Sequence, residues 1–231
     1  MGKKVLILAA HPDDPVGMMS GTMVKLVREG HTVNVFAFGN GDEAYSEPGG
    51  REEAIRDYED RAQKVYRMLG CGLESLSLPD FQNYETRELY QACIGAIRKY
   101  QPDVIFAHYW AEYFQHHNMA TISRDAWNQA RWACSGDQGP AWLCPRYFHF
   151  CGKEGVGQVT HIIDVTDTFE EGYQARALFG LPMGKKVVNT IDFMRAKAAY
   201  YGAQIGVKYG EAFQESFYYP IPMNDTSLFF Q

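Results

Sequence analysis

The sequence predicts an α/β fold, a mostly parallel sheet flanked by helices, built as one domain over residues 1–231. Three observations carry this prediction. Short apolar runs at Val5 to Ala10, Val33 to Phe38 and Val104 to Ala107 have the length and composition of strands buried on both faces. Longer amphipathic stretches with helix start and stop signals lie between them. At 231 residues and 46% hydrophobic, the chain can bury a substantial core without needing a second one.

The elements follow in order. The first run, preceded by Lys3 and Lys4 and followed by Pro12, is a strand ending at residue 10 or 11. A helix from Met18 to Glu29 stops at Gly30, and a strand from Thr32 to Phe38 completes an opening βαβ unit. Asn40 to Gly50 is a polar, glycine-rich loop at the sheet edge that also carries residue 11. Ala54, Tyr58, Ala62, Val65 and Leu69 mark a helix over 51–69 closed by Gly70.

Leu76 to Leu78 is a short strand ended by Pro79-Asp80, and Thr86 to Lys99 is the next helix. Its 89, 93, 97 spacing puts Cys93 on the apolar stripe as a small core residue. After the Val104 to Ala107 strand, a polar cluster from His108 to His117 precedes a helix from Met119 to Cys134. A Gly/Pro-rich excursion leads to a strand at Tyr147 to Phe150. A further strand is expected over Thr160 to Val165, with helices over Thr168 to Leu178 and Phe193 to Ile205. The late aromatics Phe213, Phe217, Tyr218, Tyr219, Phe229 and Phe230 are sheet or packing surface, suited to a homo-oligomeric contact.

Net charge is −6, with acids and bases mixed and no long basic run, which argues against nucleic acid as the main partner. Five cysteines without a CxxC pair fit a reducing compartment. Cys134, Cys144 and Cys151 lack the regular spacing of a structural metal site. The N-terminal apolar run is too short to span a membrane and has no cleavage pattern after it, so no membrane partner is expected and the cytoplasm is the default. No Gly-x-Gly-x-x-Gly follows the first strand, and no Walker loop or nucleophile elbow is present, which disfavours dinucleotide, nucleotide and serine-hydrolase chemistry.

The strongest chemical signal is His11-Pro12-Asp13-Asp14, just past the first strand. Open α/β sheets place their chemistry there. An imidazole and two carboxylates supply ligands for zinc or a similar divalent ion, with one carboxylate to spare. A turn that merely caps the next helix is the plainer reading. His11 and Asp14, three apart in a turn, can face one ion. A third ligand must come from another loop, and His108, His116 and His117 are the candidates. Three protein ligands and an open position describe a catalytic rather than a structural zinc. Asp13 is then the spare carboxylate, placed to take a proton from water acidified by the ion.

The sequence resembles the PIG-L/LmbE-like family of zinc-dependent N-acetylglucosaminyl deacetylases. The resemblance rests on Ala10-His11-Pro12-Asp13-Asp14, Gly21, Leu69-Gly70 and Leu78-Pro79-Asp80. It extends through the stretch from Ala107-His108 to His117, then Ile163-Asp164-Val165-Thr166 and Gly206 to Phe213. It implies a Rossmann-like fold, and zinc (or another divalent ion) on His11, Asp14 and His117, with Asp13 as general base. It also implies removal of an acetyl group from an amino sugar or related glycoside, a small-molecule substrate.

Two departures stand out. Pro15 replaces a common Glu, and Glu112-Tyr113-Phe114-Gln115-His116-His117 stands where the family reads Asp-x-His-x-Asp-His. Phe114 thus occupies the place of a His that stabilises the oxyanion or shuttles a proton, and a phenyl ring donates no hydrogen bond. His116 or His108 is expected to supply that role as a catalytic residue. A weakly active or non-catalytic metal- or sugar-binding relative, or an amidohydrolase for a non-sugar substrate, is the alternative. Nearby, Asp42, Glu43 and Tyr45 share a loop that either faces substrate or is simply solvated. Arg51 and Arg56 suit surface ion pairs. Tyr109, Trp110 and Tyr113 can stack on a ligand or fill their own loop, and Lys208 and Glu211 lie in a matching segment without an assigned role.

Overall fold

The computed structural model describes residues 2–152, 155–180 and 190–216. Its elements run β1 (Lys4–Ala9), α1 (Asp13–Arg28), β2 (Thr32–Gly39), α2 (Arg51–Leu69), β3 (Gly72–Leu78), α3 (Arg87–Tyr100) and β4 (Val104–Ala107). They continue with α4 (Phe114–Ala130), β5 (Arg146–Phe150), β6 (His161–Asp164), α5 (Phe169–Phe179), α6 (Thr190–Gln204) and β7 (Gly210–Glu215). The strands form one sheet in the order β3-β2-β1-β4-β5-β7-β6, parallel from β3 to β5, with β7 antiparallel to both neighbours. The α/β class and the mostly parallel sheet are as the sequence predicts. Phe213 lies in β7, whereas Phe217, Tyr218, Tyr219, Phe229 and Phe230 fall outside the described residues.

β1 is an inner strand with helices on both faces of the sheet and is apolar on both sides for that reason. Val5, Ile7 and Ala9 pack with α1, α2 and α5, while Leu6, Leu8 and Ala10 pack with α3 and α4. Leu6, Ile7 and Leu8 are fully buried, so trimming Leu8 to alanine would cost roughly 2–5 kcal/mol. α2 ends at Gly70, whose φ of 69° is the left-handed cap that a side chain disfavours. Among the described residues, no helix is long and apolar enough to cross a membrane.

Two helices start five residues before the sequence prediction, and both shifts matter for the site. α1 begins at Asp13 rather than Met18, because the acidic pair in its first turn complements the positive helix end. It then breaks at Met19 (φ −148°, ψ 26°). The amides freed by the break are capped from β7: Gly21 and Thr22 N–H donate to the Glu211 carboxylate at 2.9 and 2.7 Å. Charge-assisted bonds of this kind contribute about 1.5–3 kcal/mol each. Glu211 therefore holds the part of α1 beyond the break against β7. α4 begins at Phe114 rather than Met119, which places both His116 and His117 on a helix.

Candidate metal centre and its pocket

β1 pairs with β2 on one side and β4 on the other, so the chain order reverses at the β1/β4 boundary. Loops leaving the carboxyl ends of two such strands diverge and leave a crevice. Leu8 is level with Ala107 across that boundary. The segments starting at His11 and His108 therefore leave the sheet side by side, and their functional residues meet in the crevice. The loop after β2 and the end of β3 close it from the flank. Asp42 accepts the Asp80 N–H at 2.6 Å, and Asp80 in turn accepts the N–H groups of Gly41 and Glu43 at 3.2 and 3.4 Å.

On the crevice floor the ligating atoms of His11, Asp14 and His116 all lie within 4.8 Å of one another, and all three residues are buried. His116 Nε2 is 3.0 Å from Asp14 Oδ1, and His11 Nδ1 is 3.4 Å from Asp14 Oδ2. The other oxygen-facing restraint on Asp14 is the His11 backbone N–H, which donates to Oδ2 at 2.7 Å. Each imidazole has a second carboxylate behind it: Asp80 Oδ1 is 3.2 Å from His11 Nε2, and Glu112 Oε2 contacts His116 Nδ1. A carboxylate behind a histidine fixes its tautomer and ring orientation and turns the opposite nitrogen toward a cation. His116 Nε2 is buried without a hydrogen bond of proper geometry, the orphan that a metal ion would satisfy. The donor set of two imidazoles and one carboxylate fits zinc or a related divalent ion.

The electrostatics agree with a site that holds its carboxylates ionised. Burial pushes Asp14 upward, yet His116, His108 and His11 hold it well below the usual carboxylate range. Glu112 is likewise brought down to about 2 by His108 and His116 against its burial. Burial disfavours the charged form of His116, but Asp14 and Glu112 raise its pKa to about 9; burial likewise opposes the charge on His11, and Asp14 and Asp80 hold its pKa well above the usual imidazole range.

The floor opens into a cavity of about 370 Å³, whose wall includes Asp13, Met18, Tyr58, Tyr113, Arg176, Phe193, Met194 and Lys197. Asp13 lines the same cavity as these three candidate ligands. Its Oδ1 accepts the Tyr58 hydroxyl at 2.5 Å, and its Oδ2 is 3.4 Å from the Arg176 guanidinium.

Residues 6–127, more than half of the chain and including all three floor ligands, match the family model described as PIG-L: GlcNAc-PI de-N-acetylase. The chain belongs to the PIG-L family. Several solved structures share the fold of this PIG-L protein. One is N,N'-diacetylchitobiose deacetylase from Pyrococcus horikoshii, with 24% identity and TM-score 0.85 over 96% of this chain and 88% of that one. Another is GalB, the 4-carboxy-2-hydroxymuconate hydratase from Pseudomonas putida KT2440, with 15% identity and TM-score 0.83 over 97% and 100%. The zinc-inhibited form of teicoplanin deacetylase Orf2 gives 13% and 0.65 over 94% and 100%.

The PIG-L chain departs from the expected site in its second loop. His117, expected as a ligand, is exposed, and its Nδ1 meets the Trp110 carbonyl at 2.7 Å. Neighbouring helical residues point about 100° apart, so only one of the two histidines can face the crevice, and it is His116. His116 was expected as a proton carrier and instead joins the floor. His108, expected as a catalytic residue, is fully buried beneath the floor: its Nε2 accepts the Ala10 N–H at 3.0 Å, and its Nδ1 faces Glu112 at 3.5 Å. It therefore braces the two strands' ends. Phe114 packs edge-on against Tyr84, with ring centroids 5.4 Å apart, whereas the preceding Tyr113 lines the cavity.

Arg51 pairs with Asp42 and Glu43, as a surface ion pair was expected to, and Asp42 is a buried loop brace rather than a substrate contact. The sequence reading passed over Asp80, Glu112, Tyr58, Arg176 and Lys197. Asp80 had a usable signal, an acid directly after a strand at the same sheet edge, and Glu112 stood among the histidines. Tyr58, Arg176 and Lys197 reach the cavity from α2, α5 and α6, and nothing in the sequence marks those helix faces as the ones turned inward.

Proposed function

We propose that this chain is a divalent-metal-dependent hydrolase that removes an acetyl or similar small acyl group from an N-acylated amino sugar or related glycoside. The observation that carries the reading is the convergence of His11, Asp14 and His116, one imidazole nitrogen lacking a well-formed hydrogen bond, at the base of a cavity that also holds Asp13. Membership of the PIG-L family supports the reaction, and the cavity volume suits a small molecule. Zinc is the ion the donor set fits best. When bound by these three residues, a divalent ion would polarise the acyl carbonyl and acidify water.

The chain's own groups complete the reaction. Asp13, oriented by Tyr58 and Arg176, takes a proton from the water that adds to the amide carbonyl. Tyr113 packs on His116 with ring centroids 4.1 Å apart, and among the described residues nothing hydrogen-bonds its hydroxyl. Its partial burial and the surrounding carboxylates of Asp14, Asp13, Asp80 and Glu112 push its pKa up, so it stays a neutral donor. Its O–H is free to donate to the oxygen that gains charge, the contact Phe114 cannot make. Asp13 then returns its proton to the nitrogen as the C–N bond breaks, giving carboxylic acid and free amine.

We assign this activity to one LmbE-like domain spanning 1–231, acting in the cytoplasm on a small-molecule substrate. The five unbridged cysteines support that compartment. The test is release of acetate and amine from metal-loaded protein with a panel of N-acetylated amino sugars, compared with Asp13→Asn. A wild-type rate that disappears in a variant still holding metal supports the proposal. Equal background rates in both would favour a non-catalytic binding protein.

A further inference from the structure

Nearly every charged side chain in the cavity wall has an opposite charge to face. Asp13 faces Arg176, Asp14 and Glu112 face histidines, Asp80 faces His11, and Glu43 pairs with Arg51. Among the described residues, Lys197 is the exception. It lies on α6 one helical turn beyond Phe193 and Met194, which share the cavity wall with it. Its Nζ donates to the Cys151 carbonyl at 2.7 Å and lies 5.8 Å from the centroid of the Phe193 ring, which leaves it, among the described residues, without a carboxylate partner.

Cys151, Glu211 and Glu112 act on Lys197 through space, but neither carboxylate comes within ion-pair distance and both are committed elsewhere. Glu112 serves His108 and His116, and Glu211 caps the broken α1. Glu112 Oε1 lies against Gly152, where a side chain would collide with it. Loss of solvation at the enclosed ammonium holds its pKa below that of an ordinary lysine. An enclosed cation without an anion is costly to keep, and it is cheapest to keep where a ligand brings the missing charge.

We propose that the substrate carries an anionic substituent, a carboxylate or a phosphate, that pairs with Lys197 while the acyl group lies over His11, Asp14 and His116. This rests on the deacylation reading above and narrows its substrate to acidic N-acyl amino sugars. Phe193 and Met194 then cover the apolar side of the same ligand.

The test compares metal-loaded wild type, Lys197→Gln and Lys197→Arg on N-acetylglucosamine, N-acetylglucosamine 6-phosphate and N-acetylmuramic acid. The two acidic probes distinguish phosphate from carboxylate. Binding of the same three compounds to Asp13→Asn and to Asp13→Asn/Lys197→Gln is measured by titration calorimetry. At least one acidic compound should be preferred over the neutral sugar by about tenfold to a hundredfold, the size of a charge-assisted contact. The preference should collapse in Lys197→Gln and survive in Lys197→Arg. Lysine-dependent binding of an acidic compound without turnover of any probe would sink the deacylation reading and leave the anion site standing. Turnover or binding with no acidic preference, or a preference that survives Lys197→Gln, would overturn the anion site.

Discussion

The candidate metal floor is built by two segments that reach it in different ways. His11 and Asp14 sit in a tight turn directly beyond β1, and the His11 N–H to Asp14 carboxylate bond closes that turn on itself. His116 comes from farther beyond β4 and is presented by the first turn of α4, with Glu112 and the His108 ring behind it. In the first segment a short covalent tether sets position. In the second, helical phase does, and moving one residue along a helix turns a side chain from crevice to solvent. A tethered site tolerates little change at its own residues, whereas a phased site depends also on groups that set the helix in place.

Substitutions in the two segments should therefore fail differently. His11→Ala or Asp14→Ala is expected to have the largest effect, loss of bound metal and a fall in turnover to that of the metal-free protein, read by metal analysis and acetate release. Asp13→Asn should keep the metal and lower kcat by about 10²- to 10⁴-fold, the usual contribution of a positioned base. Retention of the wild-type rate would remove Asp13 from the reaction.

In the second segment, Tyr113→Phe is expected to lower kcat about 10²-fold with little change in metal content, the loss typical of one oxyanion donor. Phe114→Ala should change the rate far less, since its ring faces Tyr84. Glu112→Gln should weaken metal affinity by roughly 10–100-fold in a chelator competition. Gly152→Ala is expected to act in the same direction, because the added methyl would displace the Glu112 carboxylate from His116. An unchanged affinity in both would mean that Glu112 does not orient the ligand.

The same contrast explains what could be read in advance. The sheet, its parallel strands and the first half of the site follow from apolar runs and from a motif fixed within a few residues of a strand end. The second half depended on where α4 starts. Neither Tyr113 nor Phe114 carries a strong capping signal, so periodicity placed the start at Met119, and the choice of His117 as ligand rested on the family resemblance. Arg176 and Lys197 were illegible for another reason: they approach the cavity from helices distant in sequence, and only tertiary packing turns them inward. Glu211 likewise gains its role from a break in α1 that no local pattern announces.

The decisive measurement is metal stoichiometry and affinity in His116→Ala beside His117→Ala, with circular dichroism as the check on folding. Helical phase predicts that the first variant loses the ion and its hydrolytic activity, while the second binds it as the wild type does. Loss of metal on changing residue 117, with residue 116 dispensable, would contradict the floor described above and the reaction drawn from it.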